Sequence, residues 1–220
     1  MLSSYSVCRA MVMPASFLVV LFYAIYLVVR NGVISYQKAS GLAMFSGIVI
    51  FCFYSFIRLK EMLPVEEYGY DAIFFILLIL CFAWGGDTCA YFAGRAFGKH
   101  KLCPVVSPKK TVEGAIGGVL GTMVFGVLVT VIYSIAADRM EEFTRSNIGV
   151  SMYVIIALLA CVAAVLGIYG DLFASVVKRQ CGIKDYGTIF PGHGGILDRF
   201  DSVMFIAPFV TMVVIAAFYN

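Results

Sequence analysis

Two aspartates interrupt apolar stretches that are long enough to cross a membrane. Asp87 lies in FAWGGDTCAYFAG, and Asp171 lies in LGIYGDLFASVVKR. A charge at membrane depth costs about 2.5–3.5 kcal/mol on insertion scales and usually marks a functional site. Gly86 and Gly170 directly precede the two acids and allow a ligand or a second backbone to come close. A polar contact between helices is the alternative interpretation of either aspartate taken alone.

A second acidic pattern, ILDRFDS, places Asp198 and Asp201 three residues apart. If this stretch begins the last helix, the two side chains share one face, with Cβ atoms roughly 5–6 Å apart. Two adjacent carboxylates repel each other unless a cation or a proton lies between them. Hard oxygen ligands of this kind favour Mg²⁺. The alternative is a solvated helix N-terminus, where the helix dipole stabilises acids.

Two further segments have the composition of phosphate-binding loops. SPKKTVEG combines two lysines and two hydroxyls just before an apolar stretch, which predicts an anion site at a helix N-terminus. PGHGG surrounds a histidine with glycines. The alternatives are a positive-inside anchor for the lysine pair and a structural hydrogen bond for the histidine. No G-x-x-x-x-G-K-[ST] run occurs in the sequence, which excludes a Walker A loop. The candidate phosphate-binding residues of these loops are Ser107, Lys109, Lys110, Thr111 and His193.

The composition of the 220 residues is that of a membrane protein, with 62% hydrophobic and 13% charged residues. Soluble domains have about 45–50% apolar and about 25% charged residues. A net charge of +3 is too small to suggest nucleic-acid binding. The seven cysteines form no C-x-x-C pair, and we interpret them as small core residues.

Six segments approach the roughly 20 apolar residues that a membrane-crossing helix needs. The predicted fold is therefore an all-α polytopic integral membrane protein with about six transmembrane helices, the first being a true span and not a secretory signal. We predict one domain, in which residues 1–70 form an N-terminal lipid-facing scaffold and residues 71–220 form the catalytic region. A glycine series from Gly114 to Gly126 predicts close helix packing. The six segments are Met11–Val29, Gly41–Ile57, Ala72–Gly94, Ala115–Ala137, Ser151–Val177 and Ser202–Tyr219.

The charges between the segments predict the orientation. Six spans place Arg30–Ser40, Arg95–Gly114 and Lys178–Asp201 on one face, and this face carries most of the 16 Lys and Arg residues. The opposite face collects acids. The positive-inside rule therefore predicts that the two long basic loops, which hold the candidate active site, are cytoplasmic and that both termini face outward.

The longest motif runs from Ser175 to Asp201 and reads S-V-V-K-R, four residues, K-D, and then P-G-H-G-G-I-L-D-R-F-D. It resembles the signature of the bacterial phosphatidate cytidylyltransferases, also called CDP-diacylglycerol synthases. The segments D-T-x-A-Y from Asp87 and S-P-K-K-T-x-E-G from Ser107 resemble upstream motifs of the same family. The similarity covers about Gly85 to Ser202, more than half of the chain. Family members usually carry additional N-terminal spans, and this chain is shorter there.

The resemblance implies a reaction in which phosphatidic acid attacks the α-phosphorus of CTP and releases diphosphate at an inner cell membrane. It implies that Asp171 and Asp198 hold Mg²⁺, with a second cation such as K⁺ left open, and that Asp201 supports them. Asp87 is a further metal candidate. The implied catalytic residues are Asp171, Asp198, Asp201, Lys178 and Arg199. The implied residues for the CTP and lipid phosphates are Ser107, Lys109, Lys110, Thr111, Arg179, Lys184 and His193.

Two other functions fit parts of the pattern. A CTP-dependent polyprenol or phytol kinase would transfer the γ-phosphoryl group instead, but the full K-R…K-D…H-G-G-x-D-R-x-D set argues against it. A transporter would use Asp87 and Asp171 along an ion pathway, but it would show repeat symmetry and broken helices, which the sequence lacks. The expected partners are CTP, phosphatidic acid and the lipid bilayer, without nucleic acid, and a homodimer is one open alternative.

Overall fold

The computed structural model describes residues 18, 21–26, 28–29, 36–139, 149–188 and 194–218. Its chain falls into two compact units, divided between Ile48 and Val49. Every described residue of the first unit is helical. The second unit contains the described candidate site residues. The predicted division at residue 70 stays a prediction, as do the statements about the role of each part.

Helices dominate the described residues, and one two-stranded antiparallel hairpin is the only sheet among them. A π-helical turn, Cys81–Gly85, makes the helical stretch Asp71–Phe97 continuous. A 3₁₀ turn, Leu197–Arg199, precedes the last helix. The elements are α1 (Tyr36–Met62), the single turn α2 (Val65–Tyr68), α3 (Asp71–Leu80), α4 (Gly86–Phe97), β1 (Lys101–Cys103), β2 (Ser107–Thr111), α5 (Val112–Arg139), α6 (Val150–Gln180) and α7 (Val203–Phe218).

Four described helices are long and apolar enough to cross a membrane, namely Ala39–Met62, Asp71–Phe97, Val112–Ala137 and Val150–Gln180. The helix α7 is apolar but shorter. Large apolar side chains on the outer faces are exposed, including Leu120, Ile132 and Leu158, which suits a lipid environment. The prediction of an all-α polytopic membrane protein is confirmed. The count of six spans stays a prediction, because most of Met11–Val29 lies outside the described residues.

The helices α4 and α5 pack closely through glycines, as the sequence predicts. A Cβ atom on Gly114 would lie 2.8 Å from the carbonyl oxygen of Ala90, and one on Gly118 would lie 3.0 Å from the Ala90 Cβ. A larger residue at either position would therefore push the two helices apart. This packing fixes α4, which carries Asp87, against α5, which follows the hairpin.

Local structure differs from the sequence-based expectation at two places. Ser107–Thr111 forms a strand paired with Lys101–Cys103, and α5 begins directly after it. The stretch with Asp198 and Asp201 does not begin the last helix, which starts at Val203. The physical reason is that the Asp198 carboxylate accepts two backbone N–H groups of the preceding loop, so this residue anchors the loop. The two acids therefore do not share a helix face.

Candidate active site

One face of α6 carries two candidate site residues and the first serine of the signature motif in successive turns. Asp171, Ser175 and Lys178 are four and three residues apart, which places them on the same side of a helix. The Ser175 hydroxyl donates to the Asp171 carboxylate at 3.4 Å. Ser175 and Lys178 are buried. This face lies near the C-terminal end of the helix, where the apolar stretch gives way to basic residues.

The buried ammonium group of Lys178 binds Asp198. Its Nζ lies 2.8 Å from Asp198 Oδ1, and the side chains are only 10% and 5% exposed. The other oxygen of Asp198 accepts the backbone N–H groups of Tyr186 and Gly195 at 2.8 and 2.9 Å. Lys178 also lies over the ring of Tyr186, 5.2 Å from its centroid. These contacts fasten the loop after α6 to the turn before α7.

The same contacts hold Asp198 in its charged form. Burial acts to raise the pKa of Asp198, but the hydrogen bonds from Lys178, Gly195 and Tyr186 outweigh it. The pKa of this carboxyl is therefore lower than its ordinary value. The pKa of the Tyr186 hydroxyl is raised by burial and by the negative charge of Asp198. The tyrosine thus stays neutral, and its hydroxyl donates to the carbonyl oxygen of Ala174 at 3.0 Å.

Ser202 connects the acid of α4 with the turn before α7. Its hydroxyl donates to Asp87 Oδ2 at 2.7 Å, and its backbone N–H donates to Asp201 Oδ1 at 2.9 Å. The turn lies directly against α6, because a Cβ atom on Gly170 would be 2.7 Å from the Asp201 carbonyl oxygen. The glycine before Asp171 thus permits the close backbone approach that the sequence indicates.

Asp87, Asp171 and Asp201, which we name the carboxylate triad, lie close enough for their charges to interact. Burial, followed by the negative charges of Asp171 and Asp87, raises the pKa of the Asp201 carboxyl to about 7. A carboxyl with this pKa is half protonated near neutral pH and readily exchanges its proton for a cation. Asp201 is 7% exposed, so water screens these charges poorly.

The triad has the donor chemistry of a Mg²⁺ site but not its compact geometry. Carboxylate oxygens on three separate elements are the hard ligands that this ion prefers. Among the described residues, however, no three His, Cys, Asp or Glu side chains are gathered closely enough to hold a metal ion. The residues therefore fit the ion by their chemistry. Their separate elements would have to approach one another to complete a coordination shell.

The strand β2 supplies a second lysine to the acids. Lys110 Nζ lies 2.5 Å from Asp171 Oδ2, and both side chains are about one quarter exposed. Thr111, the next residue, is buried and accepts the N–H of Gly114 at 3.1 Å. Thr111 is therefore held in place at the end of the hairpin, and Lys110 directly precedes it.

A cavity of about 600 Å³ opens beside the acids. Asp87, Asp198 and Arg199 provide its charged lining. Trp84 and Phe200 pack edge to face, and the indole N–H of Trp84 donates to the Arg199 carbonyl oxygen at 3.0 Å. The cavity thus combines a charged end with aromatic walls, and its volume is in the usual range for ligand sites. The full lining is Trp84, Asp87, Thr88, Ile196, Asp198, Arg199 and Phe200.

Comparison with known proteins decides the family. A model described as "Cytidylyltransferase family" matches residues 1–217. The chain belongs to the cytidylyltransferase family. It is 32% identical over 198 residues to a phosphatidate cytidylyltransferase of Bacillus subtilis, which covers 90% of this chain and 66% of that protein. It is 42% identical over 145 residues to one of Staphylococcus epidermidis, which covers 66% of this chain and 50% of that protein.

The chain spans between half and about two thirds of the length of the curated relatives it matches. A third relative, the phosphatidate cytidylyltransferase of Staphylococcus haemolyticus, is 39% identical over 145 residues and repeats this coverage. The resemblance stated from the sequence motifs is therefore confirmed at the level of the family.

The other predicted site residues are mostly exposed. Ser107 is partly exposed, and Lys109, Lys184 and Arg199 are exposed. Arg179 is exposed at the end of α6, where its guanidinium donates to the Ile183 carbonyl oxygen at 3.4 Å. The predicted phosphate donor His193 lies outside the described residues.

Three residues of the site carry no signal in the sequence analysis. Ser202 joins Asp87 to Asp201, Tyr186 carries the amide that binds Asp198, and Trp84 lines the cavity. Ser202 and Tyr186 directly follow acidic signature residues, which is the only pattern that could have singled them out. Trp84 is the single tryptophan of the chain, but its role depends on contact with a residue 115 positions away.

Proposed function

We propose that this chain catalyses the transfer of the cytidylyl group from CTP to phosphatidic acid. A phosphate oxygen of the lipid forms a bond to the α-phosphorus of CTP, and the bond from this phosphorus to the bridging oxygen of diphosphate breaks. The products are CDP-diacylglycerol and diphosphate. A phosphate monoester has its second pKa at about 6, so the lipid is already ionised near neutral pH. No protein nucleophile is needed.

The observation that carries this proposal is the pairing of two acids, one buried and one partly exposed, with lysines near the ends of apolar helices. Lys110 binds Asp171, and Lys178 binds Asp198. Such a site can neutralise the phosphates of a nucleotide and of a lipid headgroup at the membrane boundary. Catalysis then consists of positioning the two substrates and stabilising the negative charge that develops in the transition state.

We further propose that the site binds Mg²⁺ through the carboxylate triad, with Asp198 as an additional candidate ligand. Asp198 Oδ1 accepts one hydrogen bond, from Lys178, and keeps a second lone pair, whereas both lone pairs of Oδ2 are used by the N–H groups of Tyr186 and Gly195. When bound to these carboxylates, the ion would supply positive charge that neutralises the phosphates of CTP. Ser202 orients two of the three triad members, and a second cation such as K⁺ stays open.

The basic residues would divide the phosphates among themselves. We assign Lys110 and Lys178, which already lie at the acids, to the reacting phosphates. The exposed residues Lys109, Arg179 and Lys184, with the Ser107 hydroxyl and with His193, would bind the outer phosphates. The predicted role of Thr111 would be to hold this end of the hairpin, since its buried hydroxyl accepts the N–H of Gly114. Arg199 lines the cavity and would stabilise the charge on the transferred group.

The setting of the site follows from the same proposal. The basic loops would face the cytoplasm at the inner membrane, since CTP is a soluble nucleotide and positive loops stay inside. The exposed apolar faces of the helices would contact the bilayer that supplies the lipid substrate. Nucleic acid is not an expected partner, and a homodimer is an alternative that the oligomeric state in detergent would decide.

The test uses purified protein, mixed micelles of detergent and phosphatidic acid, Mg²⁺, and CTP labelled at the α-phosphate. We expect label in the lipid phase, its loss with EDTA, and its loss in Asp198→Asn. Glu66→Gln, an exposed acid on α2, is the matched control and should keep full activity. If lipid stays unlabelled while γ-labelled CTP marks an added polyprenol, the chain is a lipid kinase and the proposal is wrong.

A further inference from the structure

The base of the hairpin is held by a single carboxylate that the proposed reaction does not use. Glu113, in the first turn of α5, accepts the backbone N–H groups of Lys99 and His100 at 3.1 and 3.2 Å. Its other oxygen lies 2.6 Å from Nδ1 of the His100 ring. The backbone of His100 in turn accepts the N–H of Val112 at 2.9 Å. The Glu113 side chain thus joins the residues just before β1 to those just after β2.

These contacts determine where the second strand can lie. The first residue pair of the hairpin, Lys101 with Thr111, lies next to the residues that these contacts hold. Thr111 is enclosed by glycines, because a Cβ atom on Gly94 or on Gly114 would lie 2.9 Å from its Oγ1. Glu113 from one side and the glycines from the other therefore fix the register of β2.

Lys110 is the residue whose direction this register sets. It lies on β2 directly before Thr111, and its ammonium group reaches Asp171 at 2.5 Å. A shift of the strand by one residue would turn Lys110 to the opposite face of the hairpin. Glu113 is thus connected to the reacting groups through the two paired strands and the side chain of Lys110.

We infer that Glu113, together with His100, is a positioning residue that acts on the reaction through Lys110. This inference rests on the proposed cytidylyl transfer for its kinetic test. Glu113→Ala removes these contacts and should lower kcat by between about tenfold and a hundredfold, the range expected if Lys110 is misplaced by about 1 Å. Glu113→Gln keeps an oxygen that accepts the two N–H groups and should recover most of the activity.

A double-mutant cycle separates positioning from a general loss of structure. In the background Lys110→Ala, the change Glu113→Ala should have little further effect on kcat, because the lysine it directs is gone. His100→Ala should give a smaller loss than Glu113→Ala, since both backbone N–H groups still bind the carboxylate. Glu66→Ala, on the exposed turn α2, serves as the control and should leave kcat unchanged.

Amide hydrogen exchange provides a readout that needs no activity. In Glu113→Ala, residues 99–112 should exchange at least tenfold faster, while residues 150–180 of α6 should exchange at the wild-type rate. Unchanged exchange in the hairpin, or losses in kcat that multiply independently in the double variant, would overturn the inference. If the wild-type protein shows no cytidylyl transfer but the Glu113→Ala variant shows the expected faster exchange, the proposed reaction is wrong. The structural role of Glu113 in the hairpin would still be supported.

Discussion

The ion pair between Lys178 and Asp198 makes a quantitative prediction about stability. The change Lys178→Met keeps the aliphatic stem and removes the charge. Asp198 would then remain as a buried anion that is 5% exposed. Removing one partner of a buried pair costs about 3–5 kcal/mol. Two backbone N–H groups still bind the other oxygen, so we expect the lower end of this range, about 3 kcal/mol.

The reverse change and the double variant complete the cycle. Asp198→Asn leaves an amide oxygen for the backbone donors, but it strands the ammonium group of Lys178 over the ring of Tyr186. We expect a loss of about 2 kcal/mol, because a cation–π contact compensates part of the lost pair. In the double variant neither charge is left, and the total loss should be about 2 kcal/mol instead of the roughly 5 kcal/mol sum of the single changes.

The measurement is unfolding of the purified protein by SDS in mixed micelles. Trp84 is the single tryptophan and is hydrogen-bonded beside the site, so its fluorescence reports the loss of this region directly. If the two single losses add in the double variant, Lys178 and Asp198 do not interact energetically. The attribution of the low pKa of Asp198 to this lysine would then also be wrong.

Three further predictions concern the turn before α7, the metal and a remote pair. Gly170→Ala should lower cytidylyl transfer by at least about tenfold, because its Cβ would lie 2.7 Å from the Asp201 carbonyl oxygen; Gly47→Ala, which meets no described heavy atom within 4 Å, is the control. Chelation by EDTA should abolish label transfer and added Mg²⁺ should restore it, with Asp201→Asn requiring about tenfold more of the ion. Tyr133→Phe removes the 2.9 Å hydrogen bond to buried Asp71; it should destabilise the protein by about 1.5–3 kcal/mol in the SDS assay while the activity of folded molecules stays unchanged.

Features that depend on the free energy of placing a single residue could be predicted from the sequence. An acid in an apolar stretch is unfavourable at membrane depth whatever its partners are, so Asp87 and Asp171 can be recognised before any partner is known. A glycine series is likewise readable, because only small residues permit helices to approach as α4 and α5 do. The class of the fold follows in the same way from the apolar composition.

Features that depend on pairing across the chain could not be predicted. Spacing alone cannot show that Lys178 binds Asp198 or that Lys110 binds Asp171, since each lysine has several acids within reach in sequence. The prediction that Asp198 and Asp201 share a helix face is wrong, because the amides of the preceding loop bind the Asp198 carboxylate. His100 is exposed, and no sequence pattern predicts the contact with Glu113 that gives it a structural role.

The charge balance of the site supports the proposal of a divalent cation. Direct ion pairs among the described residues reach two of the four acids, Asp171 and Asp198. Asp87 and Asp201 share Ser202, whose hydroxyl and amide carry no full charge. The raised pKa of Asp201, about 7, follows first from its burial and then from the negative charges of Asp171 and Asp87. A divalent cation bound here, as proposed above, would offset the charges of these two acids and those that CTP would add.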